Sequence, residues 1–180
     1  MSRQYFEDLI IDPPTANLTA VTATVETGLW NVAQFSPIHA FDSYKGVGKI
    51  FRLCAGGIYS TGASGTLTIT PRVGTSTGGI TLGASVAQTV PPSLTNEAWF
   101  MHFICVVRTL GAPGANSTVM GTGVFQGGGA AATASSGCQV LFGGTSATCD
   151  LSIETGIFIG WTLSVAGSCT PMFVTMQSMN

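Results

Sequence analysis

Residues 98 to 107 read Ala-Trp-Phe-Met-His-Phe-Ile-Cys-Val-Val, and no other stretch of the chain is as continuously apolar. This run limits what the chain can fold into. It is too short to cross a bilayer as a helix, which takes about 20 apolar residues. Periodicity cannot separate strand from buried helix in such a run, but its aromatic and β-branched content favours strand. Gly-Ala-Pro-Gly at 111–114 breaks it. As a strand it turns Trp99, Met101, Phe103, Cys105 and Val107 to one side. Phe100, His102, Ile104 and Val106 turn to the other, with Arg108 emerging at the end. Both faces are apolar, so the expectation is cover on both: a second sheet on one side and more protein on the other.

Shorter strands surround this one. Residues 18–26 alternate weakly through Val21, Ala23 and Val25, and 29–35 continue with Trp30, Val32 and Phe35. Residues 36–48 form a loop. Residues 50–60 read as a strand with a bulge at Gly56-Gly57. In 66–73, Leu67 and Ile69 point inward, and Pro71, which has no N–H, calls for an edge or a bulge. Residues 80–90 read as one strand, and 117–126 place Val119 and Phe125 opposite Met120 and Val124. The Gly/Ala/Ser stretch 127–137 cannot pack a core and reads as a loop. Residues 138–153 read as a hairpin turning at Gly144-Thr145. Ile157, Ile159, Trp161, Leu163 and Val165 define another strong strand, and 172–179 the last. Nine to eleven short strands without an amphipathic helix predict an all-β antiparallel sandwich or jelly roll at 18–180, with 157–165 interior beside 98–109.

The surface of such a chain is unusual. Charged residues make up 8% of the 180, against ~25% in a typical soluble domain. A free monomer keeps a charged surface, so other subunits are expected to cover part of this one, which predicts a homo-oligomer, with a trimer preferred. The six basic residues are scattered and the net charge is −2, which argues against nucleic acid. Nothing suggests a membrane partner. The first residues carry no long apolar run of the secretory kind. The five cysteines have no metal-ligand spacing. Cys54, Cys105 and Cys169 lie in strand-like runs as small hydrophobes, and Cys138 and Cys149 are out of register for a disulfide.

Four of the fourteen charged residues, Arg3, Glu7, Asp8 and Asp12, fall in the first twelve positions. Pro13-Pro14 separates that segment from the rest. Residues 1–17 therefore read as an extended N-terminal arm. Its apolar members, Tyr5, Phe6, Leu9, Ile10 and Ile11, are expected to bind a partner subunit instead of their own sandwich.

Signals for chemistry are weak. Gly74-Thr-Ser-Thr-Gly78 matches a nucleophile elbow, but a strand-like run follows where the elbow needs a helix, so Ser76 is read as incidental. A base for it would be His39, near Asp42, or His102, near Glu97. Asp150 and Glu154 are the only late acid pair, and they straddle one strand end instead of a cleft. Gly127-Gly-Gly lacks the Lys-Ser/Thr of a phosphate loop. The Asn17 and Asn116 sequons are discounted without a secretory signal. A glycan-binding module would need exposed aromatics beside a carboxylate, such as Tyr44 or Tyr59 near Asp42. The expectation is no enzyme, no cofactor and no metal.

Several stretches share one texture: Phe51-Arg-Leu-Cys-Ala-Gly-Gly, Gly65-Thr-Leu-Thr-Ile-Thr-Pro-Arg, Gly111-Ala-Pro-Gly-Ala-Asn-Ser-Thr, Leu141-Phe-Gly-Gly-Thr-Ser-Ala-Thr and Thr162-Leu-Ser-Val-Ala-Gly-Ser. In these, residues 28–180 resemble virion proteins of tailed bacteriophages, among them head-decoration (cement) proteins. The resemblance implies a small β-sandwich or jelly roll that trimerises and grips the capsid by a terminal arm. The major capsid protein would be its partner. The chain would be made in the host cytoplasm and end on the capsid surface. The alternative is a tail- or fibre-associated β-module for assembly or for host glycan or receptor binding. Absence of heptads and of shaft repeats speaks against a fibre.

Overall fold

The structure, a computed structural model, describes residues 7–11, 19–29, 46–74, 77–112, 114, 117–128, 138–146, 148–151 and 156–179, with 7–11 described by backbone alone. These residues contain strands and no helix. Eleven strands follow in order: Glu7–Ile11 (β1), Thr27–Gly28 (β2), Ile50–Thr61 (β3), Gly65–Val73 (β4), Ile80–Thr81 (β5), Gln88–Val90 (β6), Leu94–Thr109 (β7), Thr118–Gly127 (β8), Cys138–Thr145 (β9), Ile157–Leu163 (β10) and Gly167–Met179 (β11). A six-stranded sheet runs β1-β11-β3-β7-β8-β9, and a smaller one runs β2-β10-β4-β5, with β6 also on β4. Every strand pairing among the described residues is antiparallel. The two sheets pack into the expected sandwich.

The apolar run forms the middle of β7, between β3 and β8, and its alternation divides as expected. Trp99, Met101, Phe103, Cys105 and Val107 are all buried between the sheets. From the smaller sheet Leu67, Ile69, Ile159, Trp161 and Leu163 meet them. Phe125 couples the layers: its ring centroid lies 5.4 Å from Trp161 and 5.5 Å from Trp99. Two glycines on β8 give the aromatic rings room. A Cβ at Gly121 would come within 2.4 Å of Phe103, and one at Gly123 within 2.6 Å of Phe142. Those two rings stack at 5.6 Å.

A bidentate ion pair ties Glu26, next to β2, to Arg72 of β4. Arg72 donates from Nε to Glu26 Oε1 and from Nη2 to Oε2, both at 2.7 Å. Its Nη1 donates to Gly79 O and Thr81 Oγ1. Glu26 lies over Gly160, where a Cβ would stand 2.3 Å from its Oε1. The hydrogen bond to Glu26 raises the Arg72 pKa further, so this guanidinium stays charged.

Several sequence expectations are corrected. The bulge predicted at Gly56-Gly57 lies instead on the facing strand: Gly57 pairs with Pro171 and Gly56 with Phe173, which leaves Met172 as the extra residue. The hairpin turning at Gly144-Thr145 does not form. Residues 138–145 are one strand against β8, and Cys149 bridges to Ser117. Gly143 and Gly144 serve close packing: a Cβ at 143 would lie 2.3 Å from Gly121 O, and one at 144 would lie 2.9 Å from Leu82 O. The strand expected over 80–90 is two short pieces, β5 and β6. Between them the Ser85 hydroxyl accepts from Ile69 N–H at 2.8 Å, in place of a ladder bond. Pro71 lies within a paired strand, but its missing donor faces this irregular segment, where Pro71 O accepts from Leu82 N–H. Within 18–35 the described pairing is the Val21–Cys169 bridge and β2, while 30–45 lie outside the described residues. The Gly/Ala/Ser loop is described only at Gly127 and Gly128.

The arm also differs from expectation. Its residues 7–11 are extended, but they pair with β11 of the same chain, Glu7 opposite Met179 and Leu9 opposite Gln177. An edge strand with unpaired N–H and C=O groups draws whatever extended segment can reach it. Here that segment is the chain's own N-terminal stretch. Tyr5, Phe6 and Pro13-Pro14 lie outside the described residues.

Candidate functional site on the outer face of the larger sheet

Because alternate residues of a strand point to opposite sides, the register fixes what the larger sheet shows on its outer face. Four cross-strand rows run from β11 through β3, β7 and β8 to β9. The first holds Met179, Ile50, Val106, Met120 and Thr145. The second holds Gln177, Arg52, Ile104, Thr122 and Gly143. The third holds Thr175, Cys54, His102, Val124 and Leu141. The fourth holds Phe173, Gly56, Phe100, Gln126 and Gln139.

From β11 to β9 these rows give twenty positions with Arg52 the one formal charge, and β1 extends the first row by Glu7, opposite Met179. Gln177 holds that guanidinium: Arg52 Nε donates to Gln177 Oε1 at 2.9 Å, and Nη2 reaches the same oxygen. Large apolar side chains stand in solvent around it. Leu141 is 71% exposed, Phe100 43% and Met120 41%.

The face has relief at two opposite corners. At one, Gly56 lets Phe173 lie across the sheet, and a Cβ there would be 2.4 Å from the ring. Phe173 thereby sits beside Phe100, with centroids 6.5 Å apart, and the two rings form a raised pair. At the other, Gly143 has no side chain and a depression of about 340 Å³ opens. Ile104, Met120, Thr122, Gly143 and Thr145 line it. Its walls offer apolar surface and two threonine hydroxyls, a setting for an apolar side chain and a poor one for a charged ligand.

The residues singled out for chemistry are scattered. His102 is half-buried at the centre of the face, and its cross-strand neighbours on β3 and β8 are Cys54 and Val124, not a carboxylate. Glu97 pairs with Tyr59 at the far end of β7. Asp150 Oδ2 accepts from Gly114 N–H at 3.0 Å, a loop contact. Ser76, His39, Asp42, Tyr44 and Glu154 lie outside the described residues. Tyr59 is wholly buried instead of offering a sugar platform, and its hydroxyl donates to Gly128 O at 2.7 Å. Among the described residues no three His, Cys, Asp or Glu side chains gather as a metal site.

None of the five cysteines is in a disulfide. Burial raises the Cys105 thiol to about 12 and pushes Cys169 up as well. Cys54 differs, because it is only half-buried and belongs to the outer face. Burial raises its pKa, and the Arg52 charge opposes that rise.

No protein-family model matches the chain, and no curated protein matches it. Among solved structures it has a distant likeness to the CBM2 module of the evolved Dit of Lactobacillus casei BL23 phage J-1. The identity is 10% and the TM-score 0.28, over 73% of this chain and 62% of that one. That likeness is too weak to assign a fold family or a ligand.

Proposed function

We propose that the chain is a structural protein of a tailed-phage particle, a non-enzymatic β-module that assembles by having the outer face of its larger sheet covered by other subunits. One observation carries the reading: from β11 to β9 the outer face holds twenty positions with a single formal charge and several large apolar side chains in solvent. Burying each large side chain fully contributes about 1.5–3 kcal/mol, so a face of this kind favours contact over exposure. Contiguous apolar patches of this extent mark interaction sites.

Within the particle, the tail-associated assembly role fits better than capsid decoration. Decoration drew on an arm reaching to a neighbouring subunit, and residues 7–11 are instead the edge strand of their own sheet. The outer face is what remains for docking. Its lack of exposed Trp or Tyr beside a carboxylate favours assembly over glycan recognition.

The test is localisation in the parent particle. Phage carrying wild-type or Ile104→Lys chain is purified, and the chain is quantified by mass spectrometry and placed by immunogold labelling. The expected result is wild-type chain on the tail, and Ile104→Lys chain soluble in the lysate but absent from particles. Particles that lack the wild-type chain, or that carry the variant at full occupancy, would overturn the proposal.

A further inference from the structure

We infer that Cys54 and His102 form a two-ligand site for a soft monovalent cation, copper(I) or silver(I), in the middle of the outer face. The inference is independent of what covers that face, and its test uses the chain alone.

Register brings the two residues together. They are far apart in sequence, where no spacing links them, yet they stand directly opposite on β3 and β7. The phase of the hydrogen bonds sets how close they come. Val107 N–H donates to Lys49 O at 3.0 Å, which makes 107 and 49 a hydrogen-bonded pair, and every second pair along the two strands repeats that pattern. Phe103–Leu53 is therefore a hydrogen-bonded pair and His102–Cys54 a non-hydrogen-bonded one. In that kind the Cα atoms are only about 4.5 Å apart and the side chains are closest. Cβ atoms of directly opposed residues are about 4.5–5.5 Å apart. A cation held in line between sulfur and nitrogen, with bonds of about 2.3 and 2.0 Å as at zinc, needs donors about 4.3 Å apart. The pair matches that span. Both strands are interior to the six-stranded sheet, so the backbone under the two donors is rigid.

Donor type selects the ion. Thiolate sulfur favours copper(I), and imidazole accepts it. Between β11 and β9 the four rows hold no carboxylate, so a hard cation finds none of the oxygen ligands it takes. Two ligands are also fewer than the four of structural zinc.

Charge agrees. A thiolate, a monovalent cation and a neutral imidazole sum to zero, which suits a face with so little charge. Arg52 favours the Cys54 thiolate. Its hydrogen bond to Gln177 of β11 draws the guanidinium to the side of β3 away from His102. Cys54 is the one cysteine of the five that is not buried, so the other four do not compete for the ion.

The experiment is titration of the full chain with silver(I) in chloride-free, thiol-free buffer, followed by calorimetry and by NMR of the histidine ring nitrogens. The site predicts one ion per chain and a shifted ring nitrogen of His102. Cys54→Ser should abolish binding. His102→Phe should weaken it on the order of 100-fold, since losing even a residue that only orients a ligand costs about 10–100-fold. If His102→Phe does not fold, His102→Gln makes the same test. His39→Gln, at the other histidine of the chain, should leave affinity unchanged. Equal affinity in wild type and the His102 variants would reduce the site to a single thiol and overturn the inference. Two or more ions per folded chain, or a His102 ring that does not respond, would overturn it as well.

Discussion

The rings of Phe100 and Phe173 lie 6.5 Å apart with planes tilted by 35°, on a side of the sheet that no other described element covers. Phe173 reaches that position because residue 56 is glycine and because β11 carries an extra residue just before it. An aromatic pair contributes about 0.5–1.5 kcal/mol beyond its burial. Since both rings remain partly in solvent, truncating one should cost the fold little. Phe173→Ser is expected to lower unfolding free energy by no more than about 1 kcal/mol, measured by urea denaturation. A loss several times larger would mean that the pair belongs to the core.

Trp161 is the contrast. It is buried on the smaller sheet against Phe125 and Tyr59 of the larger one. Trp161→Ala is expected to cost about 3–5 kcal/mol, seen as a lower urea midpoint. An unchanged midpoint would contradict the packing of the two sheets.

Much of this core was legible in the sequence. The inward residues of β7, β8 and β10 follow from alternation, because strand geometry leaves no other way to bury Trp99, Met101 and Phe103 together. What alternation could not give was the cover on the opposite side. Phe100, Ile104 and Val106 are as apolar as the inward set, and hydropathy does not say whether the covering protein belongs to the same chain. Gly143-Gly144 misled for a related reason. Glycine pairs suggest turns, yet here they admit the backbones of Gly121 and Leu82 within a continuous strand. A strand's partner, as with residues 7–11 and β11, is likewise a long-range fact with no local signature.

Two glycines of the larger sheet should respond differently to a methyl group. Gly143 has φ +122, and a Cβ there would meet backbone. At Gly56 the nearest obstacle is a movable ring. Gly143→Ala should therefore destabilise by about 1–3 kcal/mol and more than Gly56→Ala, both measured by thermal unfolding. The opposite order would contradict the close approach of β8 and β9.

Stability should fall at alkaline pH. Burial raises the Cys105 pKa from 9.0 to about 12, so the folded thiol stays neutral while the unfolded one ionises. The contribution is complete below pH 9 and is lost as pH rises towards 12. One such thiol costs on the order of 1 kcal/mol at pH 10. Cys169 is raised for the same reason and adds to the slope. Urea titrations at pH 8 and 10 should show the loss, and Cys105→Ala should flatten it. An equal slope in the variant would contradict the assignment.

The Ser178 hydroxyl is buried with no hydrogen-bond partner among the described residues. An unsatisfied buried polar group costs about 1–3 kcal/mol, so Ser178→Ala should be neutral or stabilising by thermal unfolding. A clear loss of stability would show that the hydroxyl is satisfied.

The most direct measurement is a cryo-electron microscopy map of the parent phage particle, read at the outer face of the larger sheet. The account predicts density for this chain with Phe100, Ile104 and Leu141 in contact with another protein subunit. A particle without the chain, or one in which that face looks into solvent, would contradict it.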